Sequence, residues 1–429
     1  MSILIKQGRV IDPANKRDGV FDILVENGKI AKVSKSITAK ADITINAKGK
    51  IVTPGLVDMH AHLREPGRED EETIASGTRA AARGGFTSVF CMPNTDPVLD
   101  NAKIIEELKR TIAKDAITNV FIIGAITVGQ SQAALVDFVS LKEAGTRWFS
   151  DDGSSVESPE FLLKALKASV KQNFLLIEHC EDKKISKTGV MNKGLVATKT
   201  GLRGIPKESE FIRVRRDIEL AEKADARLHI AHVSCLESAE LIKKAKKSGI
   251  KITAETAPHY FSLTDEACQC YDANTKVNPP LKSKEDVEAI KKALEDNTID
   301  IIATDHAPHT DAEKGVEFDF APFGMTGFES ALSVCIEELI DKKVLNWPKL
   351  IEKLSVSPSR ISGIQKGTLT EGRDADITII DPEKKWVYKK EERASRSSNS
   401  PFIGKQLKGM ATDVIVGGRV VMNDRQLCL

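Results

Sequence analysis

The chain has 429 residues, 63 basic and 62 acidic side chains, and a formal net charge of +1. That balance, with no basic stripe, argues against a nucleic-acid partner, and the length suits a large barrel plus a smaller domain. Met1-Ser2-Ile3-Leu4-Ile5-Lys6 is charged too early for a signal peptide, no apolar stretch approaches a membrane span, and seven scattered cysteines fit a reduced cytoplasmic setting.

Residues 1–53 read as short strands and turns. Ile3-Leu4-Ile5 is one strand, and Phe21 to Val25 leads through Glu26-Asn27-Gly28-Lys29 into Ile30 to Val33. Asn-Gly between apolar runs is a hairpin signal. The middle, residues 54–365, alternates apolar strands with amphipathic helices. The first strand follows the run Ile51 to Val57 and ends near His62; the next are Thr87 to Asn94, Val120 to Ala125 and Arg147 to Asp152. Four more follow: Phe174 to His179, Arg227 to His232, Ile250 to Thr256 and Ile299 to Asp305. Ser158-Pro159 starts a helix with the stripe Phe161, Leu162, Ala165, Leu166, and Gly249 stops the helix that precedes the seventh strand. Lys243-Lys244 and Lys246-Lys247 are the wet face of that helix, and Cys268-Gln269-Cys270 reads as structural. Residues 366–429 return to strands, with Ala375 to Ile380 and a turn at Gly417-Gly418.

These elements predict an α/β protein, a TIM-type (β/α)8 barrel over 54–365, with a small β-sandwich domain built from both termini, 1–53 plus 366–429. The eight histidines all lie between His60 and His309. His60 and His62, two apart on a strand, share a face, and Arg64 keeps the same parity. His60 and His62 end strand 1, Asn94 strand 2, Asp151-Asp152 strand 4, His179 strand 5, His232 strand 6 and Asp305 strand 8. C-terminal strand ends of such a barrel converge, so four imidazoles and carboxylates meet on one face. That ligand set suits zinc or a similar divalent ion, with room for two ions bridged by a carboxylate.

Asp58-Met59-His60-Ala61-His62-Leu63-Arg64 resembles the Asp-x-His-x-His-x-Arg signature of cyclic amidohydrolases. Asp305-His306-Ala307-Pro308-His309, with Ala321 to Glu329, is similar to the strand-8 end and following loop of type I dihydroorotases. The resemblance spans essentially the whole chain. It implies reversible hydrolysis of L-dihydroorotate to N-carbamoyl-L-aspartate, a step of pyrimidine synthesis. It also implies that His60, His62 and Asp305 hold one zinc ion and His179 and His232 a second. Asp152 would bridge the two, its spacing to His179 fitting better than that of Asp151; a single ion at His60, His62 and Asp305 would also support the chemistry. Asp305 would be the catalytic base and then acid. His62, Arg64, Asn94, Asn278 and His309 would bind substrate, with backbone groups of Phe323 and Gly324 in the loop 310–328.

Many relatives bridge with a carboxylated lysine, and Arg147 to Gly153 has none, which argues against hydantoinase-like and allantoinase-like readings. Pro258-His259-Tyr260 departs from the His-His common in related chains, and both residues read as structural or supporting. A non-catalytic scaffold subunit for aspartate carbamoyltransferase is the remaining alternative, set against the full ligand set. A homodimer and a complex with aspartate carbamoyltransferase are compatible with the resemblance and stay open.

Overall fold

The computed structural model describes residues 1–428. Both termini build one nine-stranded sheet. Its path runs Gln426–Leu427, Arg419–Asn423, Gln406–Val416, Ile377–Val387, Ile51–Pro54, Ser2–Asp12, Arg17–Glu26, Lys29–Ser34, with Ile43–Asn46 added beside Ser2–Asp12. Two tight turns set its hairpins. Asn27 and Gly28 have φ of 51° and 77°, and Gly417 and Gly418 have 54° and 76°, the two positive values that such a hairpin turn requires. Ile3, Ile5, Val10, Ile23, Val25, Val52, Ile377, Ile379 and Ile415 pack into a core of their own.

The predicted apolar run Ile51 to Val57 is two strands, not one. Ile51–Pro54 pairs antiparallel with Ile377–Val387 in the terminal sheet, and the chain then turns at Gly55 into Leu56–Ala61 of a different sheet. The corner admits no side chain, because a Cβ on Gly55 would lie 2.0 Å from Thr87 Oγ1.

The middle of the chain carries eight parallel strands in two sheets, numbered here in order, besides a separate short parallel pair, Met191–Asn192 with Gly204–Ile205. β1 (Leu56–Ala61), β2 (Phe86–Cys91) and β3 (Asn119–Ile122) form one sheet. β4 (Trp148–Phe149), β5 (Leu175–Glu178), β6 (Leu228–Ile230), β7 (Ile252–Thr256) and β8 (Ile301–Ile302) form another, in that order. Parallel bridges join the two sheets at both edges, Gly124 with Phe149 and Ala61 with His306. His62 N donates to His306 O at 2.8 Å and Asp305 N to His60 O at 3.0 Å across the second junction. Asp58 supports it by accepting from Thr304 N at 3.0 Å.

Several strands are shorter than the apolar runs predict. β4 and β8 have two residues each, since the residues that follow leave the ladder to aim side chains inward. Helices follow local rules. Ser158 caps Pro159–Gln172 by accepting from Phe161 N, and Thr73 and Ser76 form a reciprocal cap on Ile74–Gly84. The segment after β8, predicted as loop throughout, contains the short helix Asp311–Lys314, capped by Thr310 and Glu313. No helix among the described residues is long and apolar enough to cross a membrane.

Gly84 tests how tightly this packing is held. A Cβ there would sit 2.2 Å from the carbonyl oxygen of Phe328. Alanine is the better helix former, yet Gly84→Ala should lower the thermal midpoint, by roughly 1–3 kcal/mol of overpacking. A midpoint equal to or above wild type would show that Phe328 yields.

Candidate metal centre and substrate pocket

The predicted ligands meet. His60, late in β1, donates from Nδ1 to Glu255 Oε1 at 2.6 Å. Its Nε2 is buried without a hydrogen-bond partner and faces Asp152 Oδ1 at 3.4 Å and Asp305 Oδ1 at 3.5 Å. His62, just past the strand, donates from Nδ1 to Asn94 Oδ1 at 2.8 Å. Its Nε2 lies 3.4 Å from Asp152 Oδ2 and 3.4 Å from Asp305 Oδ1. Asp152 also approaches His179 Nδ1 at 3.5 Å and His232 Nε2 at 3.3 Å, so one carboxylate touches all four imidazoles. All six residues are buried.

These separations fit a metal better than direct hydrogen bonds. Two ligand atoms about 2.1 Å from a tetrahedral ion stand about 3.4 Å apart. The sets His60, His62, Asp305 and His60, Asp152, His232 each bring their ligand atoms within 4.8 Å of one another. The unpartnered Nε2 of His60 points between two carboxylates, the place where a cation, a proton or a metal ion, would sit. Three of the imidazoles are also held from behind, His60 by Glu255, His62 by Asn94 and His179 by Glu181, as metal-ligating histidines generally are.

Asp151 does something else. It accepts from Ile126 N at 2.8 Å, Thr127 N at 3.0 Å and Thr127 Oγ1 at 2.6 Å, tying the end of β3 to that of β4. His306 is equally structural: its Nδ1 accepts from Gly327 N and its Nε2 donates to Glu72. His259 is buried with Nε2 unpartnered, and burial pushes its pKa down to about 4.

The charges are strongly coupled. Burial alone would raise Asp152 and Asp305, but His60 and the neighbouring histidines hold both well below the ordinary carboxylate range. Burial likewise opposes charging of His179, yet Asp152 and Glu181 raise it to about 10, and Asp152 and Glu255 raise His60. Arg64, His232 and Asp305 have φ of 61°, 31° and 49°, a region that L-residues seldom adopt. Arg64 therefore does not reach the site by strand alternation with His62; β1 ends at Ala61 and the chain turns.

Above the cluster lies a cavity of about 200 Å³ lined by His62, Arg64, Asn94, Asp152, His179, His232, Asn278, Asp305, His309, Phe323 and Gly324, with Gly153 and Ala307. His60 sits beneath it. Asn94 is no helix cap, that role falling to Asn101. Asn278 Nδ2 donates to Glu181 Oε2 at 3.0 Å, and His309 Nε2 lies 2.8 Å from Phe323 O. Gly324, at φ 138°, donates its N–H to Lys276 O, and a Cβ there would lie 2.8 Å from that of Ala307. A larger cavity of about 620 Å³, lined by Phe121, Trp148, Arg147 and Arg227 among others, contains no histidine.

Sequence reasoning did not single out three acids. Glu255, at the end of β7, holds His60 and also accepts from His229 Nε2 at 3.1 Å; its place at a strand end was the available signal. Glu181, two residues after His179, accepts from His179 Nε2 at 3.3 Å. Glu71, behind Arg64, lies in irregular chain with no pattern to mark it.

A family model described as dihydro-orotase-like matches residues 49–238. The chain is 53% identical over 427 residues to a dihydroorotase of Elusimicrobium minutum, covering 100% of this chain and 99% of that one. It is 50% identical over 425 residues to a dihydroorotase of Pelotomaculum thermopropionicum, covering 99% of each. Among solved structures, an L-hydantoinase (dihydropyrimidinase) from Arthrobacter aurescens matches with a TM-score of 0.90 at 25% identity, over 100% of this chain and 97% of that one. A dihydropyrimidinase from Brevibacillus agri matches in fold with a TM-score of 0.88 at 23% identity, over 100% and 96%.

Raised pKa values at His60 and His179 mean that protons occupy the ion-free site at neutral pH, whereas a metal needs the neutral imidazole. Adding a divalent metal ion to metal-free protein should therefore release protons, and apparent affinity should rise with pH across the neutral range. Calorimetry in buffers of different ionisation enthalpy reads this directly; stoichiometric binding with no proton release would exclude these histidines as ligands.

Proposed function

The chain belongs to the dihydroorotase family, and on that premise we propose which of its residues carry the reaction. It is a cyclic-amide hydrolase that interconverts L-dihydroorotate and N-carbamoyl-L-aspartate. The observation that carries the assignment of residues is the position of Asp152, a carboxylate in reach of four imidazoles in the cavity that Arg64 and Asn94 also line. The eight parallel strands constitute a TIM-type (β/α)8 barrel over 54–365, a reading supported by the bridges at both sheet edges. Residues 1–53 and 366–429 form the composite β domain.

His60, His62 and Asp305 would hold one zinc ion, His179 and His232 a second, with Asp152 between them. When bound, zinc supplies Lewis acidity, bringing the pKa of water from ~16 to about 7 and polarising the amide carbonyl. The protein does the rest. A cyclic amide is a weak electrophile, so the ring must be held with its carbonyl over the metal centre. Arg64 offers a planar fork of donors to the substrate carboxylate, which a lysine would not reproduce. Asn94, Asn278 and His309 reach the carboxylate and the polar atoms of the ring, and Phe323 and Gly324 offer backbone groups.

Asp305 is held ionised by the surrounding imidazoles, ready to accept. As water oxygen bonds to the carbonyl carbon, one of its protons passes to the Asp305 carboxylate and the other is released to solvent. As the carbon–nitrogen bond breaks, Asp305 returns that proton to the leaving nitrogen, acting as base and then acid. The product carries a new carboxylate and a ureido group; in reverse, Asp305 takes the ureido proton. A hydantoinase-like specificity is disfavoured by the absence of a lysine at the end of β4. A non-catalytic role is disfavoured by the complete ligand set.

Purified, metal-loaded protein should turn over dihydroorotate in preference to hydantoin and allantoin; turnover of hydantoin or allantoin in preference would overturn the substrate assignment. Asp305→Ala should lower turnover by roughly 10²–10⁴ while circular dichroism stays as in wild type. Near-normal activity would remove Asp305 from the proton-transfer role. Arg64→Lys should raise KM for dihydroorotate with metal content unchanged, whereas loss of metal would make Arg64 structural.

A further inference from the structure

Behind the pocket wall lies a buried carboxylate that the reaction above does not use. Glu71 is 1% exposed and does not line the cavity. One of its oxygens, Oε2, stands 2.9 Å from Arg64 Nε, and the other, Oε1, accepts from His309 Nδ1 at 2.7 Å. Arg68 Nη2 adds a second guanidinium 3.3 Å from Oε1. The backbone of Glu71 is fixed as well: its carbonyl accepts from Ser397 Oγ at 2.6 Å, and its N–H donates to Arg68 O.

We propose that Glu71 is a positioning residue for substrate recognition, one that locks Arg64 and His309 into a single unit facing the substrate carboxylate. The inference rests on the dihydroorotate reading above. A carboxylate can only accept: Oε1 takes the proton of His309 Nδ1, while Oε2 stands as counter-charge beside Arg64 Nε, whose N–H reaches Pro308 O at 3.1 Å. Arg64 Nη2 and His309 Nε2 then stand 3.3 Å apart on the pocket wall, with Phe323 O 2.8 Å from His309 Nε2. Each side chain has a backbone carbonyl beside it, Pro308 O for Arg64 and Phe323 O for His309, and Glu71 adds the charged contact. Arg64 lies beyond the end of β1 at φ 61°, and His309 lies in irregular chain after β8. Glu71 is the group common to both, and it supplies the counter-charge that a largely buried guanidinium requires.

Replacement by glutamine separates this role from packing. The side chain keeps its shape but offers one amide oxygen, and its NH₂ must face either Arg64 Nε or His309 Nδ1, donor against donor. Glu71→Gln should therefore raise KM for dihydroorotate about tenfold or more, with kcat changing much less and metal content and thermal midpoint as in wild type. Glu71→Asp keeps both acceptors one methylene further back and should give an intermediate KM; it also serves as the test if the glutamine variant does not fold. KM within twofold of wild type in the folded variants, or loss of metal or kcat at unchanged KM, would overturn the proposal. Wild-type turnover of dihydroorotate is the control: with it present, unchanged KM in the variants defeats Glu71 alone, while its absence defeats the functional reading beneath.

Discussion

Four imidazoles and two carboxylates share one buried volume, and each would be costly there without the others. Burial by itself would raise Asp152 and Asp305 and depress His60 and His179. The observed arrangement reverses both tendencies in these groups by placing unlike charges against one another around Asp152. A divalent cation would do the same more completely, being itself the largest charge in the site. The supporting residues follow from this. Glu255 would be an expensive buried anion if it did not accept from both His60 and His229, which together hold its pKa down to about 2.

Bringing those six groups together requires strand ends from two separate sheets. The junction between β1 and β8 is where His60 and His62 face Asp305, and it is made by backbone pairing of His60, His62, Asp305 and His306. The terminal sheet braces the outer end of the same strands. Gly55 N donates to Asp376 O, and Asn119 Nδ2 donates to Asp376 Oδ2 at 3.1 Å. Thr378 Oγ1 donates to the carbonyl of Gly85 at 2.6 Å. The terminal sheet is thus an anchor for β1, β2 and β3, continuous in chain with the strand that leads into the first two histidines.

The cluster was legible in the sequence because ligand-type side chains recur at strand ends. His60, His62, Asp152, His179, His232 and Asp305 combine residue type and position in that way, and the structure brings them together. The strand lengths were less legible. Apolar runs such as Ile299 to Asp305 continue past the last ladder hydrogen bond, because residues that turn inward stay buried and so stay apolar in composition. The break at Gly55 was hidden for a related reason: strands of both sheets are buried there, and only the steric approach of Thr87 betrays the corner. The supporting acids left the weakest trace. Glu71 and Glu181 act from irregular chain, where no periodicity reports which way a side chain faces.

That last point bears on how the scaffold chooses its substrate. The six clustered residues sit on or within a few residues of the C-terminal ends of β1, β4, β5, β6 and β8. Arg64, Asn278, His309, Phe323 and Gly324 lie on the connections beyond the strands, which the sheets position without dictating their conformation. Arg64 and Gly324 even require backbone angles that the strands would forbid. A residue so placed keeps its direction only if something fixes it, and burial makes that something charged or polar: Glu71 for Arg64 and His309, Glu181 for Asn278, and Lys276 O for Gly324. If these residues bind the ring as proposed, specificity would depend on the buried acceptors that hold them as much as on the residues themselves.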